Sequence, residues 1–329
     1  MTRSLSRRAV LSGAAALSTS PLWPRPAKSA DWRPNETVRI IVPAAPGGST
    51  DVIGRYLAQH LQQSWGVTAV VENKSGGGGT IGTAYYVQQK PDGNSILVGN
   101  PGPNAVAYSI FRSLPYKADQ LQPVSNAIRI PNIVSAHPSS GIKSIKELIT
   151  YLKANPDKLN YGSAGTGTTH HLAGELFKIV TKTRIQHVPY RGAGPAMQDL
   201  VAGHVPLVFD GLGSSAPQIR SGQLRALAVA APKRVAAFPD VPTAAEAGVP
   251  GYEVSTWYGV FAPKNTPPAV VERMTKELQK AMQTAAIKEA WERNGSDVPD
   301  VTGAAFGAMV AAETVRWQKV VAEAGVKLD

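Results

Sequence analysis

Three glycine-rich loops, at residues 43–51, 73–82 and 163–170, each follow a short strand-like run and open onto a segment with helical spacing. Glycine lets backbone N–H groups approach a ligand without an intervening Cβ. The first turn of a helix adds unpaired N–H donors at the positive end of its dipole. A chain that repeats strand, glycine turn and helix folds as an α/β protein with an open sheet, and ligands gather beyond the carboxyl ends of its strands.

The alternation begins with Val38-Arg39-Ile40-Ile41-Val42, an apolar run of the kind a buried parallel strand requires. Ile53, Leu57, Leu61 and Trp65 then form a helical stripe across residues 50–65 that stops at Gly66. Strands at 67–72 and 96–99, with a helix at 81–90, complete a βαβαβ order. The pattern restarts in mid-chain. Ser144 and Glu147 frame a capping box that opens a helix ending before Pro156. Strands follow near 159–162, 184–188, 205–210, 224–230 and 254–261, and two long helices are expected at 268–293 and 302–324. No flexible linker separates the two α/β blocks. Strands near 128–134 and 252–261 are therefore expected to cross between two lobes as a hinge.

A length of 329 residues accommodates two such domains. The net charge of +11 invites a nucleic-acid partner, but its distribution argues against one. Residues 1–30 carry Arg3, Arg7, Arg8, Arg25 and Lys28 and no acid, so removing these five cations leaves +6, and the remaining cations are scattered. Ser6-Arg7-Arg8-Ala9-Val10-Leu11 heads a short apolar run, the pattern of a twin-arginine export signal cleaved near residue 30. No apolar run is long enough to span a bilayer, so no membrane insertion is expected. The chain has no cysteine, which excludes thiol catalysis and Cys-ligated metal.

Enzyme motifs are weak. Gly77-Gly78-Gly79-Thr80-Ile81-Gly82 has dinucleotide-loop spacing, but it lies four residues beyond its strand and lacks the acid expected about 20 residues later. No Gly-Lys dipeptide occurs, which excludes a P-loop. Ser163 sits in a sequence without the first glycine of a nucleophile elbow. His171 and Glu175 share a helix face, but no third metal ligand is implied, and no metal or other cofactor is expected. His170 reads as a helix-start residue that bonds a loop or lines a cleft, and His187 as structural. Asp210, at a strand end, either binds ligand or caps the next helix. Tyr190 and Arg191 read as an ordinary solvated turn. Backbone amides with Ser49, Thr50, Thr166 and Thr168 would suit a carboxylate.

Six ordered segments carry a family resemblance. They are Ile41-Val42-Pro43 with Pro46-Gly47-Gly48-Ser49-Thr50-Asp51; Val70-Val71-Glu72-Asn73 leading to Ile81-Gly82; Asp92-Gly93; Tyr161-Gly162-Ser163-Ala164-Gly165-Thr166-Gly167-Thr168 through His170-His171; His187-Val188-Pro189-Tyr190-Arg191-Gly192; and Asp240-Val241-Pro242-Thr243 with Glu246-Ala247-Gly248. Over nearly the whole mature length the chain resembles the extracytoplasmic binding proteins of tripartite tricarboxylate transporters, the Bug family. The resemblance implies a two-lobed type II periplasmic-binding-protein fold, each lobe a mostly parallel sheet flanked by helices. It places the ligand between the lobes and implies that the first and third loops hold its carboxylate ends. Carried over by position, the ligand-binding set is Pro46, Gly47, Gly48, Ser49 and Asp51 from one lobe, and Ser163, Ala164, Gly165, Thr166, Gly167, Thr168 and His170 from the other. Gly79 and Asp210 join them as loop and strand-end candidates. The chain departs from the family at Ala44, where an aromatic is common, at Asn94 and at Lys74-Ser75; Ala44 implies a wider pocket.

The expected organisation is a signal at 1–30, one lobe of 31–130 plus 257–329, and a second lobe of 131–256. The expected function is periplasmic capture of a small organic carboxylate (a dicarboxylate, an amino-acid-like acid or an aromatic acid) for delivery to membrane transporter subunits. Two alternatives are presentation of the ligand to a sensor ectodomain and a periplasmic hydrolase using Ser163 and His170.

Overall fold

The structure is a computed structural model that describes residues 32–329, apart from Asn294, Pro299 and Asp329. The twin-arginine segment and its cleavage site lie outside the described residues. Strand β1 (Val38–Val42) pairs in parallel with β2 (Ala69–Asn73) on one side and β3 (Ser95–Gly99) on the other. Between them run α1 (Ser49–Trp65) and α2 (Thr80–Tyr86). The expected helix at 81–90 ends at Tyr86 because the Gln89 side chain takes the Tyr85 carbonyl and its backbone N–H takes that of Tyr86. A short helix α3 (Ala107–Ile110) leads towards the longest strand.

That strand, β4 (Leu121–Ala136), organises the molecule. The second half of the chain packs α4 (Ile145–Ala154), α5 (Thr169–Thr181), α6 (Ala193–Val201) and α7 (Leu212–Arg220) around β5 (Asn160–Ser163), β6 (Gln186–Pro189), β7 (Leu207–Gly211) and β8 (Arg225–Val229). The chain then returns through β9 (Ser255–Pro263). From Leu121 to Pro131, β4 is antiparallel to β9, which is itself antiparallel to β3. From Asn132 to Ala136 the same strand pairs with β7, and from Ile133 with β8. β5 continues that second half-sheet with parallel pairing to β7 and β6. At the crossover Asn132 N donates to Val254 O, and Val254 N donates to Ala230 O. One continuous strand thus belongs to two half-sheets, each built on a parallel core, and the fold is a two-lobed α/β binding protein.

The C-terminal helices close the first half. The helix expected at 268–293 is two, α8 (Pro268–Gln283) and α9 (Ala285–Arg293). Thr284 leaves the helical region at ψ 140°, and its backbone N–H (3.2 Å) and its hydroxyl (2.8 Å) both donate to the Ala281 carbonyl at the break. The last helix, α10 (Gly303–Ala324), buries Phe306 and Trp317 against β4, β9 and α5. It therefore packs on both halves.

A buried acid joins α8 to α1. Glu277 is 1% exposed and accepts from His60 Nε2 (2.9 Å) and from the Ser64 hydroxyl. Burial pushes its carboxyl up, but the bonds from Ser64 and His60 outweigh that and hold it below its ordinary value of 4.5. A depressed folded-state pKa contributes stability that is present above the ordinary value and is lost as pH falls through the lower, folded one. Glu277→Gln should therefore cost about 1.5–3 kcal/mol at neutral pH, the magnitude of a hydrogen bond to a charged group. In urea titrations the gap from the parent protein should narrow as the pH falls below 4.5. A gap independent of pH would show that the charge is not what stabilises the contact.

Candidate functional site

The first loop is held by its own acid. Gly47 turns with φ +88°, and α1 starts after an N-cap glycine, Gly48, with no side chain capping its first turn. Asp51 reaches back instead of out. Its Oδ2 accepts from Gly47 N (3.0 Å) and Arg55 Nε (2.9 Å), and its Oδ1 from Asn73 Nδ2 (3.0 Å). Asn73 Nδ2 also donates to Ala44 O (3.0 Å), so the loop is tied to the end of β2. Burial raises the Asp51 carboxyl, but Arg55, Gly47 and Asn73 together hold it below the usual carboxylate range. The loop is fixed from within, and the leading end of α1 faces open space.

The third loop is wired in the same way. Ser163, at the end of β5, is fully buried; its Oγ accepts from Gly165 N (3.0 Å) and lies 2.6 Å from His187 Nε2. Thr168 caps α5 by accepting from His171 N (3.3 Å), and its hydroxyl donates to Gly165 O (2.7 Å). Gly167 N donates to His171 Nδ1 (3.3 Å). The His171 and His187 rings stack with centroids 4.1 Å apart, and burial lowers them to about 4 and about 3, so both are neutral at physiological pH. This corrects the Ser163/His170 pairing that a hydrolase would need. Ser163 is inaccessible and its partner is His187, while His170 faces Asp210, with Nδ1 3.4 Å from Oδ1.

Between these loops lies a cavity of about 420 Å³. Of the residues expected at the site, Gly48, Ser49, Gly79, Ala164, Gly165, Thr166, Thr168 and His170 line it. Six do not. Asp51 and Ser163 are turned into their own loops, as described. Gly47 and Gly167 supply the turns at φ +88° and +81°. Pro46 faces α6, and Asp210 stands behind His170 with 1% exposure. The second loop contributes Gly76 to Gly79.

A fourth turn completes the ring, and sequence reasoning passed over it. Tyr190, Arg191 and Gly192 follow β6 and open α6, whose start, like that of α1, has no side-chain cap. Pro189-Tyr190-Arg191-Gly192 repeats the strand–turn–helix signal of the other loops, and that signal could have revealed it. Among the described lining residues Arg191 is the one Lys or Arg, and no Asp or Glu lines the cavity. The walls are Ala44, Phe111, Tyr258 and Leu328. Leu328 reaches the cavity because its N–H bonds Ile110 O (2.7 Å), forming a bridge with Phe111. No local signal links those two segments.

Around the cavity the two halves approach most closely at glycines. A methyl group at Gly78 would lie 2.5 Å from Thr166 O, and one at Gly194 2.6 Å from Pro46 O, so glycine is what permits both approaches. Among the described residues no cluster of three or more His, Cys, Asp or Glu could hold a metal. No helix there is long and apolar enough to cross a membrane. The site offers an anion backbone amides and hydroxyls, with Arg191, an exposed residue, among its lining.

Residues 53–326 match TctC, the tripartite tricarboxylate transporter family receptor. Protein BugT of Bordetella pertussis is 38% identical over 302 residues, covering 91% of this chain and 93% of that one. An R. palustris structure solved with adipate superposes with a TM-score of 0.87 at 34% identity, covering 90% of this chain and 99% of that one. MatC from Rhodopseudomonas palustris, with bound malate, superposes with a TM-score of 0.84 at 32% identity, covering 88% and 100%. The chain belongs to the tripartite tricarboxylate transporter receptor family, whose members are periplasmic solute-binding proteins and not enzymes.

Proposed function

We propose that this protein captures a small dicarboxylate in the cleft between its lobes and delivers it to the membrane subunits of a tripartite carrier. One observation carries the reading: the uncapped starts of α1 and α6, one from each half, border a cavity that contains Arg191 and no acid. Unpaired first-turn amides and the helix dipole favour an anion, and anchors on both halves suit a molecule charged at both ends. The relatives solved with adipate and malate hold dicarboxylates. Each charge-assisted bond contributes about 1.5–3 kcal/mol, so a few of them, less the cost of ordering, support a micromolar Kd of about −8 kcal/mol.

We take 31–130 with 257–329 as one lobe and 131–256 as the other, a division supported by the change of partner that β4 makes after Pro131. A twin-arginine leader at 1–30 exports the chain and is removed. In the open form the ligand rests on one lobe. Closure brings the other lobe's amides onto its far carboxylate, and ligand shifts the equilibrium only by its extra affinity for the closed form. The carrier reads that closed form.

Calorimetry of the mature protein against adipate, malate, succinate and matched monocarboxylates should show micromolar binding of at least one dicarboxylate. No binding by folded protein would refute the proposal. Arg191→Ala should weaken dicarboxylates about tenfold or more, about 1.4 kcal/mol, and monocarboxylates less. Gly194→Ala separates closure from folding. Alanine is favoured over glycine inside a helix by up to about 1 kcal/mol, so Tm should hold or rise. The added methyl meets Pro46 O across the cleft, so ligand-induced compaction in X-ray scattering should be lost and affinity reduced. Unchanged compaction would mean that this seam does not control closure.

A further inference from the structure

We infer that ligand capture is coupled to proton uptake, with His170 gaining a proton as the carboxylate enters the cleft. The inference rests on the preceding reading of the cavity as a carboxylate site, and adds a regulation that the reading does not require. His170, in the first turn of α5, is 6% exposed and lines the cavity. Its Nδ1 stands 3.4 Å from Asp210 Oδ1. Asp210 is itself 1% exposed at the end of β7. Its Oδ2 takes the hydroxyls of Ser214 (2.5 Å) and Ser215 (2.9 Å) from α7, while Oδ1 has no hydrogen-bond partner. A buried carboxylate oxygen without a donor, facing an imidazole nitrogen, is completed by an N–H on that nitrogen.

Two opposing effects act on the ring. Burial lowers its pKa and outweighs Asp210, which raises it, so the empty site holds a neutral imidazole at neutral pH. The other titratable or charged groups around it are few. Tyr258 on β9 carries a phenol that burial keeps protonated, and Arg191 lines the same cavity from the turn before α6. Ser49 on α1 contributes only a hydroxyl. His171 is turned the other way, stacked on His187. Among the described residues Asp210 is thus the one acid acting on the ring, and alone it does not hold the proton. A ligand carboxylate brings a second negative charge on the cavity side. Between two carboxylates the imidazolium becomes the stable form, its Nδ1–H satisfying Asp210 and its Nε2–H meeting the ligand. The step is balanced: one proton leaves solvent and one N–H bond forms at His170.

The test is calorimetry of the mature protein with adipate, malate and succinate at about pH 7.5, in phosphate and in Tris, whose ionisation enthalpies differ. The difference in apparent heat should report uptake of up to one proton per ligand, and affinity should rise as pH falls, by at most tenfold per unit. His170→Gln, with Tm checked, should bind with uptake near zero and a flat pH profile; Asp210→Asn should also reduce uptake. Long-range nitrogen–proton NMR should show His170 passing from neutral to imidazolium on saturation. Binding without uptake, or with the ring still neutral, overturns the inference and leaves the carboxylate site standing. Absence of any binding overturns both.

Discussion

A single hydrogen-bonded strand sets the terms for the rest of the molecule. β4 is paired with β9 as far as Pro131 and with β7 and β8 beyond it, so the two halves share a backbone ladder. Ladder bonds resist stretching and shear but tolerate twist, because twist is already part of strand geometry. Relative motion of the halves is thereby directed into rotation about the crossover, where Asn132, Val254 and Ala230 exchange bonds. The loops at the strand ends stand away from that axis. A small rotation moves them towards or away from one another while both half-sheets stay intact.

Rotation alone would bring together soft loops, and soft loops make poor anion sites because ordering them costs entropy on binding. The internal wiring removes that cost before the ligand arrives. Asp51, Ser163 and Thr168 direct their side chains at the backbone of their own loops, Asn73 reaches from the end of β2 to Ala44 O in the first loop, and together they hold the turns in shape. Asp51 and Ser163, which a positional analogy would place on a ligand, bond inward instead. The same division holds at the rim, where the halves approach through Gly78 and Gly194. Both positions owe their role to the absence of a side chain.

The alternation of strands, glycine turns and helices was legible because it is local: a β-branched run, a glycine turn and a helical stripe lie within about 30 residues of one another. Eight of the fourteen site candidates line the cavity for the same reason, since loop position follows from topology. The direction of a side chain within a loop does not. Asp51 and Ser163 carry the polar groups of binding residues, and only the three-dimensional course of the turn shows them bonding inward. His187 was placed on a strand correctly, but its contact with Ser163 spans 24 residues of sequence and depends on the parallel register of β5 with β6. Arg191 was passed over for a different reason. An arginine in a turn is ordinarily solvated, and this one is exposed as expected, yet it lines the cavity through the position of α6.

The cavity wall separates two tasks that small-molecule sites often combine. On the proposed reading, charge recognition falls to the helix starts and Arg191, which follow the parallel strands of both halves. Shape comes from Phe111 and Leu328, which no parallel strand positions. They meet because α10 packs across both halves and its tail bonds Ile110, a long-range contact independent of the loops that hold the anion. Ala44 is a small residue beside the first loop, while Phe111 and Leu328 wall the same cavity with apolar surface. Substitution at any of these three positions changes the length and width available to a ligand without touching an amide donor. On that reading, the carboxylate accepted can vary while the chemistry that grips it stays fixed, because the two depend on different contacts.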